Sequence, residues 1–251
     1  MRCSAVWLGI DGCRAGWFAV VWGEDGTVRW RLAAALNELL QAAGDVRLAL
    51  IDMPVGLATG ARECDRLARK RLGPRRSSVF SPPARATLAA RDYREALRLN
   101  RRHAGVGLSK QAWNLVPKIR EVDALLQSAR RWRGRLRESH PELAFAHFNG
   151  GVPMPHNKRT AEGRQERLQV LRRRWPEAGA LLEAALRHTR RGEVQPDDVL
   201  DAMVLAALAR EGADGIATLT PSPPVDETGL PMEMVTGQIG PTDAEKRVGW
   251  L

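Results

Sequence analysis

The sequence predicts a mixed α/β fold, and three observations carry that prediction. Three short apolar segments rich in β-forming residues come first, at residues 6–11, 16–22 and 27–32. An Ala/Leu-rich helix follows at 33–43, and a fourth apolar segment follows the helix at 46–54. An antiparallel meander, a helix and a further strand are typical of the start of a mixed sheet.

Short turns separate the first three strands. The first turn is "GCRA" and the second is "GEDG", which is a good hairpin turn. Gly44 is expected to close the helix, and Pro54 ends the fourth strand. The helix allows the fourth strand to lie parallel to the first through a right-handed crossover.

The middle of the chain is predicted to be helical and basic. A helix ends at Gly73, and a loop broken by Pro82 and Pro83 follows it. Two further helices are predicted at 84–103 and 110–129.

A fifth strand is predicted at 133–139, and "HPELAF" begins a helix directly after it. An Arg-rich helical stretch at 160–189, broken at Pro176, and a strongly patterned helix at 196–210 follow. Two short strands are predicted at "GIATLT" and "PMEMV". We therefore expect one domain over residues 1–251, with helical, basic insertions at about 62–130 and 152–192 and a C-terminal extension at about 213–251.

The charge of the chain points to an anionic partner. The formal net charge is +10 and the pI is about 10.6, which favours nucleic acid. Nearly all of the 39 basic residues are Arg, so GC-rich coding is the alternative explanation.

The cysteines and the N-terminus indicate where the protein works. Cys3, Cys13 and Cys64 form no CxxC pair, which suits a reducing cytoplasm and argues against a structural zinc site. The first apolar run is interrupted at Asp11, so it predicts neither a signal peptide nor a membrane span. A cytoplasmic protein with no membrane partner is expected.

Acidic residues stand where predicted strands end. Asp11 and Asp52 end two strands that are expected to be parallel neighbours, and ligands bind at the carboxyl ends of such strands. Glu138 ends the fifth strand, and Asp201 lies on the helix at 196–210. Carboxylate oxygens suit Mg²⁺ or Mn²⁺, and two such ions can drive phosphodiester hydrolysis. The alternative is that each acid only caps a turn or a helix start.

Six stretches of the chain carry a family resemblance. They are "GIDGCRAGW", "IDMPVGL", "SSVFSPPAR", "LSKQAWNLVPKIREVD", "ESHPELAF" and "DDVLDA", and together they resemble the domain of unknown function 429 family. That family is described as predicted nucleases of the ribonuclease H-like superfamily. The resemblance covers roughly residues 6–210. It implies an α/β ribonuclease H-like fold, with a mixed five-stranded sheet flanked by helices and a helical insertion.

The resemblance also implies a set of site residues. The catalytic candidates are Asp11, Asp52, Glu138 and Asp201, and the candidate metal ligands are the same four with Asp198. Asp198 and Asp201 match the spacing of RuvC-type junction resolvases. Two choices stay open, between Glu138 and Glu142 and between Asp197 and Asp198. The candidate substrate contacts are Gly12, Arg14, Arg85, Gln111, Lys118 and His140, for several of which ordinary surface polarity is the alternative.

These features predict a metal-dependent nuclease with two Mg²⁺ or Mn²⁺ ions and a nucleic-acid substrate. One alternative is a nucleic-acid-binding protein without catalysis on the same scaffold. An actin- or sugar-kinase-like phosphotransferase is a weaker one, because the sequence shows no second Asp-x-Gly hairpin. A homodimer is a further expectation, supported by the Trp-rich second strand and the C-terminal tail.

Overall fold

A computed structural model describes residues 4–238. Its centre is a five-stranded sheet with the order β3-β2-β1-β4-β5. The strands are β1 (Ala5–Cys13), β2 (Gly16–Gly23), β3 (Val28–Ala33), β4 (Asp45–Ile51) and β5 (Leu136–Glu138). The first three strands pair antiparallel, and β4 and β5 pair parallel to β1. The predicted α/β fold with a mixed five-stranded sheet is confirmed.

The β1–β2 hairpin is tighter than the sequence predicts. The ladder continues past Asp11 to the pair Cys13–Gly16, so Asp11 lies within β1 and faces Phe18 across the ladder. Gly16 has φ +135°, and a Cβ at this position would lie 2.2 Å from the carbonyl oxygen of Ala33. A glycine is therefore needed where the chain turns back.

The parallel strands bring the predicted acids to one edge of the sheet. Ile10 pairs with Ile51, and the next backbone N–H, that of Asp52, donates to the carbonyl oxygen of Ile10 at 3.0 Å. Asp11 and Asp52 therefore follow neighbouring register positions on β1 and β4. Glu138 pairs with Ile51, so β5 ends at the same edge.

Helices cover both faces of the sheet, and the strand residues alternate between them. Phe18 and Val20 pack against one helical layer, whereas Trp17, Ala19 and Val21 pack against the other. The first layer holds α5 (Pro141–Phe148), α6 (Ala161–Arg172), α7 (Ala178–His188) and α8 (Pro196–Arg210); the second holds α1 (Leu36–Ala43) and α4 (Lys110–Ser128).

The remaining elements lie around this core. They are α2 (Glu63–Leu72), α3 (Tyr93–Ala104), α9 (Gly212–Gly215), three 3₁₀ helices (Gly73–Ser78, Arg85–Ala89 and Arg130–Trp132) and a second sheet of β6 (Ile216–Thr218) and β7 (Val235–Gly237).

Helix α8 lies directly on the central strand. Its residues from Val199 to Ala209 are buried, and Gly9 of β1 lies under them. A Cβ at Gly9 would come within 2.1 Å of the carbonyl oxygen of Ala202 and the amide nitrogen of Ala206. The absence of a side chain at Gly9 therefore allows two backbones to touch, and it fixes the position of α8 relative to β1.

Some predicted boundaries are wrong. The helix predicted at 84–103 is divided, because the Asp92 side chain accepts a hydrogen bond from the Glu95 N–H and caps a new helix, α3. The strand predicted at "PMEMV" is also misplaced, since β7 begins only at Val235.

Other predictions are confirmed or lie outside the described residues. The division of the stretch at 160–189 into two helices, α6 and α7, is confirmed. Cys3 and the tail from residue 239 onward lie outside the described residues. Between residues 4 and 238, no helix combines the length and apolarity that a membrane crossing needs.

Candidate active site

A cleft of about 460 Å³ opens at the carboxyl ends of β1 and β4. Loops and helix starts from distant parts of the chain complete its walls. The polar side chains that line it belong to Asp11, Asp52, Arg75, Ser77, Ser78, Gln111, His140, Glu142, Asn157, Lys158, Arg159, Asp197 and Asp198. Gly12, also predicted as a substrate contact, forms part of the wall.

Asp11 is buried beside other carboxylates. It is 7 % exposed, and its Oδ1 accepts the N–H of Gly12 at 2.7 Å. Burial, followed by the charges of Asp52 and Asp201, raises the pKa of Asp11 well above its ordinary value. Three aspartates on three different elements therefore repel one another at this edge of the sheet.

Asp201 lies on α8, is fully buried and does not itself line the cleft. Its Oδ2 accepts a hydrogen bond from the Lys158 ammonium, whereas no residue between 4 and 238 donates to its Oδ1. Burial and the charges of Asp52 and Glu142 raise the pKa of Asp201 to about 7, against the opposing effect of Lys158. Oδ1 is therefore a buried acceptor without a donor among the described residues.

Lys158 is the site residue that sequence reasoning missed. It lies in the loop before α6, and its ammonium contacts Asp201 from the cleft wall. Burial acts to lower the pKa of Lys158, but Asp201, Asp11 and Asp52 outweigh burial and raise it above its ordinary value. No local pattern distinguishes this lysine, because the loop brings it to acids that are remote in sequence.

Glu142 lies at the start of α5 with one oxygen in use. Its Oε1 accepts from the Arg167 guanidinium at 2.6 and 3.2 Å, and Arg167 is fully buried. Its Oε2 is buried and has no hydrogen-bond partner among residues 4–238. Since Glu142 lines the cleft, this free oxygen makes it the better placed of the two glutamates that the sequence left open.

Glu138 does not line the cleft with Asp11, and it lies instead in a smaller neighbouring pocket whose lining includes Asp52 and His140. Its Oε1 accepts from Arg62 at 2.6 Å, and its Oε2 accepts from Arg62 at 2.7 Å and from the Val55 N–H at 2.8 Å. Arg62 also pairs with Asp65, and all three side chains are buried. Both oxygens of Glu138 are therefore in use within an ion-pair cluster that holds α2 against β5.

Three predicted substrate contacts are not part of the cleft lining, although the Lys118 side chain packs against Gly12, which is. Arg85 pairs with Asp123 and Asp226. The Lys118 ammonium donates to the carbonyl oxygen of Gly16 and lies 4.5 Å from the Trp17 ring. Arg14 is exposed in the β1–β2 turn. Gly12, Gln111 and His140 do line the cleft.

Asp198 lines the cleft and also caps α8. Its Oδ2 accepts the N–H of Gln195 at 2.8 Å, as part of a capping box. Burial raises the pKa of Asp198 to about 6, with Asp197 adding to the increase. The capping role considered from the sequence and a place in the cleft thus belong to the same residue.

His140 holds the cleft wall together. Its Nδ1 accepts the N–H of Glu142 at 3.1 Å, which leaves the ring proton on Nε2, 3.2 Å from the carbonyl oxygen of Ser78. Both ring nitrogens are occupied by the backbone, so His140 joins the Gly73–Ser78 segment to the start of α5.

The cleft presents carboxylate oxygens, which are the ligands that Mg²⁺ and Mn²⁺ take in proteins. No three Asp, Glu, His or Cys side chains of residues 4–238 are gathered closely enough to hold an ion. The donors are nevertheless of the right chemistry, since hard cations take carboxylate oxygens and keep several waters. Two buried oxygens without partners, Asp201 Oδ1 and Glu142 Oε2, support this fit.

Comparison with known families identifies the chain. A family described as "Protein of unknown function (DUF429)" matches residues 9–226. The chain belongs to this family. The DUF429 match begins within β1 and covers the cleft acids and α8, so the whole candidate site lies inside it. Comparisons with curated proteins and with solved structures found no match.

Proposed function

We propose that this protein is a metal-dependent nuclease that hydrolyses phosphodiester bonds on a ribonuclease H-like scaffold. The observation that carries the proposal is the convergence of Asp11, Asp52 and Asp201, from β1, the end of β4 and α8, beside one cleft. Mutual repulsion of buried carboxylates has to be offset by cations, and this requirement favours a site for Mg²⁺ or Mn²⁺.

The ligands proposed for the metal are Asp11, Asp52, Asp201 and Glu142, with Asp198 at the edge of the set. A bound divalent ion would make water a better nucleophile and stabilise negative charge on the phosphate. Asp201 and Glu142 are each held from one side by a cation, Lys158 and Arg167, so their free oxygens are pre-oriented.

The rim of the cleft suits a phosphate backbone. Arg75 and Arg159 both line it and bring two positive charges. Ser77 and Gln111 add neutral donors. Such groups hold the sugar–phosphate backbone without reading bases, so we propose a nucleic-acid substrate that is bound mainly through its phosphates.

The proposed reaction is hydrolysis with inversion at phosphorus. A water oxygen forms the new P–O bond while the bond from phosphorus to the 3′-oxygen breaks. One water proton is lost to solvent and the 3′-oxygen gains a proton, which leaves a 5′-phosphate and a 3′-hydroxyl.

A cleavage assay tests this proposal. RNA–DNA hybrids, branched junctions and single strands are incubated with Mg²⁺, with Mn²⁺ or with EDTA. We expect metal-dependent cleavage that falls at least 100-fold in Asp11→Asn and Asp52→Asn. Asp45→Asn is the matched control, because it makes the same change at the opposite, exposed end of β4 and should leave cleavage intact. Cleavage that survives in Asp52→Asn would refute the assignment.

A binding protein without catalysis is the second candidate. The Lys158 ammonium already lies against Asp201, and this contact would also serve to neutralise acids that no longer bind metal. Tight binding of nucleic acid with no cleavage under either metal would favour this second function.

A further inference from the structure

We propose that the exposed face of α3 is a second contact surface for nucleic acid, which extends the binding of the phosphate backbone from the cleft onto the helical insertion. This inference rests on the nucleic-acid substrate of the proposed function, but it depends neither on a metal ion nor on cleavage. The arginine face is defined as the side chains of Arg94, Arg98, Arg101 and Arg102.

The four arginines share one side of the helix. Residues three or four positions apart lie on the same face of an α-helix, and the four arginines follow that spacing. All four are exposed, whereas Ala96 and Asn100 on the other side of α3 are buried. Glu95 is the one acid within α3, and its carboxylate lies 3.7 Å from the Arg98 guanidinium. The arginine face therefore carries an excess of positive charge.

The stability of α3 does not explain this arrangement. Like charges four residues apart, such as those of Arg94 and Arg98, repel one another and destabilise a helix. The helix dipole favours Arg101 and Arg102, which lie in the last turn. It disfavours Arg94, which lies in the first turn, where the dipole is positive. An anionic partner would offset both unfavourable terms.

A series of contacts connects the arginine face to the cleft. Gln111, in the first turn of α4, lines the cleft. The ammonium of the preceding residue, Lys110, lies 3.7 Å from the centre of the Tyr93 ring, and Tyr93 is the first residue of α3. Phe80 also lines the cleft, and it packs against the small apolar cluster between α3 and α4. The arginine face therefore begins, at Arg94, near this wall of the cleft.

The arginine face has the chemistry and the length to follow a phosphate backbone. At about 1.5 Å per residue, Arg94 and Arg102 are about 12 Å apart along the helix axis, which corresponds to about three or four phosphates of one strand of a duplex. Guanidinium groups pair with phosphates through two N–H donors. The exposed residues of α3 are the four arginines and His103, so α3 exposes no aromatic or aliphatic anchor of the kind that protein–protein interfaces use. These features favour nucleic acid over an acidic protein.

The test measures binding in EDTA, so that neither a metal ion nor cleavage affects the result. Fluorescence anisotropy follows the binding of a fluorescein-labelled DNA duplex at several KCl concentrations. Each lost contact with a duplex phosphate reduces the magnitude of the slope of log K against log [KCl] by about 0.9, so Arg94→Gln with Arg101→Gln should reduce it by about 1.8. Arg98→Gln with Arg102→Gln removes the other two charges and should weaken binding and reduce the slope as well.

The matched control is Arg173→Gln with Arg187→Gln. These two arginines are also exposed, and they lie at the C-terminal ends of α6 and α7, which cover the other face of the sheet from α4. The control removes the same charge from the chain, so the slope should stay close to that of the wild type. Circular dichroism checks that all three variants are folded.

The outcomes separate this inference from the proposed function. If the slope falls as much in the control as in the α3 variants, or falls in neither, the inference is overturned, because the arginine face then acts only through the net charge or not at all. Displacement of the duplex by an equal charge of poly-L-glutamate would overturn it in favour of an acidic protein. A wild type that binds no duplex would overturn the inference and the nucleic-acid substrate together. A failure to cleave with Mg²⁺ or Mn²⁺ would count against the proposed catalysis alone.

Discussion

The buried cluster of Arg62, Asp65 and Glu138 offers the sharpest test of which acids are structural. Arg62 is 3 % exposed and binds both carboxylates, and it also donates to the carbonyl oxygens of Val55 and Gly56. Arg62→Met would remove the only cation that contacts Asp65 and Glu138 among residues 4–238. Two buried carboxylates would then face each other without a counter-charge.

The size of the expected loss of stability follows from the burial of this cluster. Breaking a buried pair by removing one partner costs about 3–5 kcal/mol of the free energy of unfolding. For a chain of this size each kcal/mol corresponds to roughly 2–4 °C, so we expect the melting temperature to fall by about 6–20 °C near pH 8. Arg66→Met is the control on the same helix, because Arg66 is 62 % exposed and its pair with Glu63 is worth less than about 1 kcal/mol.

The loss of stability caused by Arg62→Met should increase as the pH rises. Burial raises the pKa of Glu138 from 4.5 to about 7 even though Arg62 opposes the increase, so without Arg62 the pKa would lie higher still. Below about pH 4.5 the carboxyl is protonated in both the folded and the unfolded chain, and the loss of Arg62 costs least there. As the pH rises, the unfolded chain releases protons that the folded chain retains, so the cost grows through pH 7.

Thermal unfolding followed by circular dichroism from pH 4 to pH 9 measures this effect, with and without Mn²⁺. Because both oxygens of Glu138 are engaged outside the cleft lining, Arg62→Met and Glu138→Gln should both keep the increase in melting temperature that the proposed metal site predicts for the wild type with Mn²⁺. A loss of stability in Arg62→Met that is the same at every pH would refute the electrostatic explanation. Loss of the Mn²⁺ response in Glu138→Gln would return Glu138 to the metal site.

Three further predictions concern the cleft and its support. Asp11→Asn should raise the melting temperature of the metal-free protein above about pH 4, because it removes a buried carboxylate that neighbouring acids repel. The increase should grow as the pH rises. A lower melting temperature in differential scanning fluorimetry would contradict this prediction. Glu142→Gln should abolish the thermal shift that Mn²⁺ is expected to cause. By weakening the pair with Arg167, it should also lower the free energy of unfolding in urea by about 3 kcal/mol. An unchanged thermal shift would exclude Glu142 as a ligand. Gly9→Ala should lower the free energy of unfolding by more than about 3 kcal/mol, because its Cβ would lie 2.1 Å from the carbonyl oxygen of Ala202. A soluble variant that unfolds in urea like the wild type would disprove the close contact.

The sheet and its first two acids could be predicted because their signals are local. An apolar run that ends on Asp11, and another that ends on Asp52, can be read directly from neighbouring residues. The helix between them implies a parallel crossover, and the crossover places both acids at one edge of the sheet. The fold class and the adjacency of β1 and β4, which brings Asp11 and Asp52 to one edge of the sheet, therefore follow from short-range patterns.

The choice between Glu138 and Glu142 could not be made from the sequence. Both lie close to the end of β5, and their roles depend on which remote arginine each one binds. Arg62 and Arg167 are 76 and 25 residues away from their respective partners, and neither belongs to a recognisable motif with them. The same limit applies to Arg85, which is engaged by Asp123 and Asp226, and to Lys158, whose loop position gives no periodic signal.

Direct backbone contact at Gly9 ties the geometry of the cleft to the interior of the molecule. Asp201 belongs to α8, which cannot move relative to β1 without disturbing the contact at Gly9. The packing of α8 on β1 therefore sets the separation between Asp201 and Asp11. Conservative changes far below the surface, such as trimming Met203 or Leu205, should therefore alter the affinity for cations as well as the resistance to unfolding. For the proposed metal site, a binding isotherm measured on such variants would therefore report on the packing of the interior as well as on the cleft.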